Sequence, residues 1–284
     1  QRNRCDLQGT WALNASHERK VPLLRSIEII WTHRKMLWAT TWSDIRSRYA
    51  GSVLGMFWLV LYPALMLTAY SIVYVFILRL RLEQMSTPQY VMLIFAGLIP
   101  FLGFSEGLAN SVVSVTANAS LIKNTLYPIE IIPVKSILLS QCTEVVGMAL
   151  LLVALAVTGG LGWWAVMVLP LWFFQVVFGI GVGWIISALN VLLRDTQSFI
   201  GIVTMFLMMV SPIAYTPEMI PEGLRGLLKA NPLYYFITAY QDCLIYNRFP
   251  TQQVFPILII FSLFTFLLGF WFFEKMKQLF DDNM

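Results

Sequence analysis

Six long apolar stretches alternate with short polar segments along the chain, at about residues 53–78, 90–115, 134–157, 163–191, 198–215 and 254–273. A helix needs about 20 apolar residues to cross roughly 30 Å of hydrocarbon, where only a segment that satisfies its own backbone hydrogen bonds is stable. The pattern therefore predicts an all-α, polytopic membrane protein with six transmembrane helices. The fifth stretch is the shortest and contains Pro212. Trp58, Tyr62, Trp163, Trp164 and Trp271 lie near predicted span ends, where amphipathic rings favour the interface.

A different pattern precedes the first span. Trp38, Trp42, Ile45 and Tyr49 recur at spacings of four, three and four, which places them on one helical face. Lys35, Arg46 and Arg48 flank that face, and Ser43, Asp44 and Ser47 lie opposite. Such a helix can lie in the headgroup region with its aromatic edge down and its basic residues snorkelling to water. The same pattern also suits a cytoplasmic helix packed on its own protein. Residues 34–50 are therefore read as an N-terminal amphipathic interfacial helix between a cytoplasmic segment, 1–33, and the six-span domain, 51–273. Residues 274–284 form a cytoplasmic tail.

Two connections are informative. In residues 118–135 a short helix can form before Pro128 and Pro133 break it ahead of the third span. Between the fifth and sixth spans, residues 216–253 contain Pro217, Pro221, Gly223, Pro232 and Pro250, yet Leu224, Leu227 and Leu228 keep helical spacing and Tyr234, Tyr235, Phe236 and Tyr240 follow. So apolar a connection predicts short re-entrant helices dipping back toward the membrane rather than a free loop.

Composition narrows the function classes. Of 284 residues, 58% are hydrophobic and 12% charged, about half the charged share of an average soluble domain. The net charge of +4 is unevenly placed, since Arg2, Arg4, Arg19, Lys20, Arg25, Arg34, Lys35, Arg46 and Arg48 all precede the first span. With the N-terminus inside, 14 basic residues fall in inner segments and five (Arg79, Arg81, Arg225, Lys229 and Arg248) in outer ones. That bias predicts cytoplasmic N- and C-termini and contact with membrane lipids, not nucleic acid. The basic N-terminal stretch is too long, and lacks the adjacent small-residue cleavage site, to be expected as a secretory signal.

Catalytic signatures are missing from the sequence. Cys5, Cys142 and Cys243 are scattered, and His17 and His33 have no third ligand nearby, so neither set has metal-site spacing. No phosphate-binding Gly-rich loop, zinc-protease motif or nucleophile elbow occurs. Energy from ATP would have to come from a separate chain, and this one is expected to be no enzyme and to hold no cofactor. Glu106 and Glu144 fall within predicted spans, where a carboxylate is costly and marks either a transport pathway or a polar helix contact. A proton-coupled carrier could use them, but the two halves show no inverted repeat.

Three landmarks in order carry a resemblance. The first is Tyr49-Ala-Gly-Ser-Val-Leu-Gly-Met-Phe-Trp58 continuing to Leu61-Tyr62-Pro63. The second is Asn118-Ala-Ser-Leu-Ile-Lys123 with Tyr127-Pro128 and Glu130-Ile-Ile-Pro133. The third is Arg194-Asp195, then Ser211-Pro-Ile213 with Tyr215, then Asn231-Pro232-Leu233. Together they resemble the permease subunits of ABC-2 type transporters that export polysaccharides: O-antigen, capsule and teichoic acid. The chain departs from that pattern at Asn124, where a second basic residue is common, and at Ile129, where an arginine is common.

The resemblance implies a homodimer in the bacterial inner membrane, driven by two ATP-binding cassette subunits that hold ATP and Mg. It implies that Lys123, Tyr127 and Glu130 contact the ATPase, with Arg194 and Asp195 in a cytoplasmic turn. The interfacial helix would contribute Trp38, Trp42, Arg46, Arg48 and Tyr49. Trp58, Tyr62, Tyr70 and Tyr74 lie on roughly one side of the first span and could line a glycan channel, or equally face lipid or a neighbouring helix. The rival cargo for such a machine is a lipid or a small hydrophobic compound.

Overall fold

The computed structural model describes residues 22–77, 85–119, 128–215 and 221–280. Among these, regular structure is entirely helical. Near the N-terminus stand α1 (Pro22–Thr32) and α2 (Arg34–Tyr49), followed by a 3-10 turn over Gly55–Phe57 and α3 (Trp58–Ser71), which runs on as a π-helical turn over Ile72–Ile77. Then come α4 (Thr87–Val112), the short α5 (Ser114–Ala117) and α6 (Ile131–Val157). A 3-10 turn (Trp163–Met167) leads into α7 (Val168–Leu192), with α8 (Thr196–Val210), α9 (Glu222–Ala230), α10 (Pro232–Leu244) and α11 (Val254–Lys277) completing the order.

Four of these segments are long and apolar enough to cross a membrane: Thr87–Val112, Ile131–Val157, Trp163–Leu192 and Val254–Lys277. The first and fifth expected spans correspond to shorter apolar helices, Gly55–Ser71 and Thr196–Val210. Among the described residues, four helices thus reach spanning length where the sequence predicted six spans. The shortfall has local causes, because regular α-helix gives way at Ile72 to a π turn and at Ser211 to an extended residue (ψ 139°) ahead of Pro212.

Local chemistry sets several boundaries. The backbone N–H of Ser86 donates to Gln89 Oε1 at 3.1 Å ahead of Pro88, starting α4. Asn231 caps α10, its side chain accepting from the Leu233 N–H at 2.9 Å, with Pro232 next. Gly51 (φ +78°) and Gly55 (φ +53°) turn the chain between α2 and α3 through a conformation that side chains disfavour. The short helix expected ahead of Pro128 falls mostly on residues 120–127, outside the described set, and Pro133 itself belongs to the next helix. It falls in the first turn of α6, where an N–H would lack an intrahelical partner anyway.

Two apolar cores share the bundle. One gathers α4, α7 and α10 around Leu98, Phe104, Phe178, Phe236 and Tyr240, with Phe104 and Phe178 stacked at 5.4 Å between ring centroids. The other lies at the end of the bundle where α6 begins and α11 ends, around Ile132, Trp184, Phe270, Phe273 and Phe280. Helices α7 and α11 pack most extensively of all pairs. A Cβ on Gly181 or on Gly269 would run into the partner helix backbone. Small residues at a crossing let two membrane helices approach this closely and gain dispersion contact that apolar lipid does not otherwise favour.

Ion pairs show which ends share a side. Arg25 of α1 pairs with Glu274 at 2.9 Å, Lys135 of α6 with Asp44 of α2 at 2.8 Å, and Lys277 of α11 with Glu130 at 2.7 Å. These are the segments that the charge bias assigned to one side of the membrane.

Candidate functional site

Helices α2, α3, α4, α6 and α8 enclose a cavity of about 720 Å³. Arg48, Tyr49 and Ser52 come from the end of α2 and the turn after it, and Trp58, Tyr62 and Leu67 from α3. Ile99, Leu102, Ser105 and Glu106 come from α4, Thr143 and Glu144 from α6, and Thr204 from α8. Glu106 lies seven residues beyond Ile99 on α4, so about 10 Å of helix separates the charged part of this wall from its apolar part.

At the charged part, Arg48 Nη1 donates to Glu106 Oε1 and joins α2 to α4. Burial lowers the Arg48 pKa, but the hydrogen bonds and charges of Glu106 and Tyr49 together outweigh it and leave the guanidinium above its ordinary value. Deeper in, the Glu144 carboxylate is 2% exposed and accepts from Gln175 Nε2 of α7 at 2.8 Å to each oxygen. Gln175 Nε2 also lies 3.0 Å from the carbonyl of Pro100. Both in-span carboxylates therefore make helix–helix contacts, and both also face the cavity.

The expected site residues are distributed as follows. Trp58 and Tyr62 line the cavity, Tyr62 being 49% exposed. Tyr70 turns to α8 instead, its hydroxyl 3.6 Å from Met208 Sδ. The side chain of Tyr74 lies outside the described set, as do Lys123 and Tyr127 altogether.

Glu130 points inward, its side chain 6% exposed and held by Lys277. Its backbone carbonyl accepts from Trp184 Nε1 at 2.8 Å. Arg194 and Asp195 form an exposed turn between α7 and α8.

On α2, Leu37, Thr41 and Ile45 form the buried face. Trp38 and Trp42 stay exposed, with the Arg46 guanidinium 5.3 Å from the Trp42 ring centroid. Ile45 thus leaves the aromatic face where its spacing had put it. The helical turn carries Leu37, Thr41 and Ile45 in one i, i+4 row against α6, and the tryptophans fall a residue further round.

The structure also joins the landmarks of the third sequence group. Asn231 Nδ2 donates to Ser211 Oγ at 2.9 Å. Gln241 Nε2 donates to the Pro212 carbonyl at 3.0 Å, and the Tyr90 hydroxyl to the Ala214 carbonyl at 2.7 Å. Ser211, Pro212 and Asn231 are therefore a single fastening between α8, α10 and α4.

Sequence reasoning missed Gln175 and Asp242. Asp242, 4% exposed, accepts from Arg248 Nη2 at 2.6 Å and from the Thr251 N–H and hydroxyl at 3.2 and 3.1 Å. It closes the turn between α10 and α11. Only a pattern of polar residues at helix spacing inside apolar runs could have marked either one.

Comparison with known proteins places this geometry. The chain is 30% identical over 251 residues to an O-antigen export system permease protein RfbA of Klebsiella pneumoniae, covering 87% of this chain and 94% of that protein. A second K. pneumoniae protein of the same name is 30% identical over 252 residues, with the same coverage. A Myxococcus xanthus protein of that name is 24% identical over 234 residues, covering 81% and 88%. The sequence model of the ABC-2 type transporter family matches residues 35–245, a stretch running from the start of α2 to the end of α10 and taking in every residue of the cavity wall. The chain is a member of the ABC-2 type transporter family.

Proposed function

We propose that this chain is the permease subunit of an ATP-driven exporter that moves a lipid-linked polysaccharide such as O-antigen across the bacterial inner membrane. The observation that carries this reading is the match, nearly end to end, to relatives named as O-antigen export permeases. An ABC-2 permease works with an ATPase partner. In the proposed assembly two copies of this chain meet two ATPase chains, which hold the ATP and Mg while this chain holds no cofactor and has no catalytic site. The exposed apolar row of Ile202, Met205, Phe206 and Met209 on α8 offers a face for the second copy.

Six spans remain the proposed topology, with both termini cytoplasmic. Continuous helix from residue 55 to 77 covers roughly 35 Å, enough for a first span despite its π turn. Helix α8 and the bend after it make the fifth. The outer helices α9 and α10 are read as re-entrant, since α10 is buried along most of its length while lying between spans. Helix α2 lies at the interface, with Trp38 and Trp42 toward the headgroups.

Mechanically, closing of the ATPase dimer would push on residues 118–133 through Lys123 and Tyr127. Glu130, fixed to Lys277 and Trp184, would pass that movement to α11 and α7. The cavity walls of α2, α3 and α4 would then change spacing as rigid bodies. Trp58 and Tyr62 would give sugar C–H faces a sliding contact without a fixed register.

The test is deletion of the gene in its source cells with complementation by the intact chain, followed by fractionation of surface polysaccharide. Polymer accumulating inside and returning to the surface on complementation is the expected result. Polymer reaching the surface normally after deletion overturns the proposal.

A further inference from the structure

Two opposite charges face the cavity between α2 and α4. The side chains of Arg48 and Glu106 remain 32% and 27% exposed while paired. A guanidinium has five N–H donors and a carboxylate about four acceptor positions, so the bond between them, with the further one from Arg48 to Tyr49, leaves donors and acceptors of both groups free. Because the charges cancel, the pair gives no net attraction to phosphate or another anion. What it offers is a fixed row of donors beside acceptors, which suits adjacent neutral hydroxyls.

The surrounding wall matches the same ligand. Tyr62, half exposed, and Trp58 line the cavity from α3 and present rings to the C–H face of a sugar. Ser105 Oγ, on the same wall, is buried without a hydrogen-bond partner. The volume of about 720 Å³ lies within the range of pockets that take small organic ligands.

We propose that Arg48 and Glu106 form a sugar-hydroxyl subsite, with Trp58 and Tyr62 as its stacking platform, that reads neutral sugar residues of the exported glycan. The inference rests on the polysaccharide-export reading and assigns recognition to particular side chains. A hydroxyl inserts beside the pair without separating its charges, so each contact is weak and exchangeable, as a sliding polymer requires. Arg48 and Glu106 are then specificity-determining residues as well as a tie between two helices.

Crosslinking separates this inference from the reading beneath it. A photo-reactive amino acid is placed at Ser52, which lines the cavity, and as a control at Ile260, exposed on α11. The full chain is expressed in its source cells with radiolabelled sugar precursors. A ladder of glycan adducts at Ser52 and none at Ile260 is expected. No ladder at Ser52, in cells where deletion still blocks export, overturns the subsite and leaves the export reading standing. Normal surface polymer after deletion overturns the export reading and the subsite with it.

A reciprocal exchange separates recognition from bracing. Arg48→Glu combined with Glu106→Arg restores the ion pair but reverses donor and acceptor positions. Membrane abundance should recover relative to either single reversal, while export stays down about tenfold or more, the usual scale for charge-assisted hydrogen bonds. Export at the wild-type level would show a brace only and overturn the proposal. Should the exchanged chain fail to reach the membrane, Glu106→Gln replaces it, with a reduction of the same order expected and unchanged export overturning the subsite.

Discussion

Gly181 and Gly179 stand two residues apart on α7 and answer to different neighbours, which makes them a matched pair for testing how the bundle is held. A Cβ added at Gly181 would overlap the Thr265 carbonyl and lie 2.6 Å from the Phe266 backbone nitrogen of α11. Backbone atoms cannot rotate aside as a side chain would, so the two helices must move apart. At Gly179 the nearest atoms are Ile137 Cγ2 at 3.5 Å and Cδ1 at 3.7 Å, ordinary contact with a side chain. Alanine gains about 0.8–1.0 kcal/mol of helix propensity over glycine at either place. The difference between Gly181→Ala and Gly179→Ala therefore isolates the steric cost, about 1–3 kcal/mol for overpacking of this kind. Both variants would be purified as full chains and unfolded in mixed micelles, with tryptophan fluorescence as the signal. Gly181→Ala should be the less stable by that margin, and Gly179→Ala neutral or slightly stabilised. Equal stability of the two would refute the claim that close backbone approach, rather than general apolar contact, holds α7 to α11.

Three further outcomes follow from polar groups that are buried and satisfied. Lys277→Ala leaves the Glu130 carboxylate inside the protein without its 2.7 Å partner, and should cost about 1–3 kcal/mol in the same unfolding assay. The double variant Glu130→Gln, Lys277→Met should recover most of that loss, since removing both charges removes the unpaired one. Asp242→Asn weakens the hold on Arg248 and Thr251, so trypsin cleavage at Arg248 should speed up roughly tenfold as the turn opens. An unchanged cleavage rate would mean the turn is held by its packing alone.

Helix positions were legible because hydrophobic runs and breakers act locally. The fourth apolar run, expected at residues 163–191, is found as Trp163–Leu192, and the sixth, starting at 254, as Val254–Lys277. The connection between the last two apolar runs holds short helices where Leu and aromatic spacing put them. The effect of proline depends on position: Pro133 stands in the first turn of α6 and Pro100 is tolerated inside α4. The cavity was partly legible, in that Trp58, Tyr62, Arg48, Glu106 and Glu144 were each singled out. Their meeting was not, because Arg48 and Glu106 are 58 residues apart and no local rule pairs them.

By itself the sequence determined the membrane habit, the helical class and the family landmarks. These depend on transfer of side chains from water and on backbone hydrogen bonding, both of which act residue by residue. Tertiary structure alone decided that Glu130 is turned to Lys277, that Ile45 packs inward while Trp38 stays out, and that Gln175 reaches Glu144. Which partner a buried polar group finds depends on how neighbouring helices cross and rotate. That is set by the packing of the whole bundle, through contacts such as the one between Gly181 and Gly269, and has no signature in any single stretch of chain.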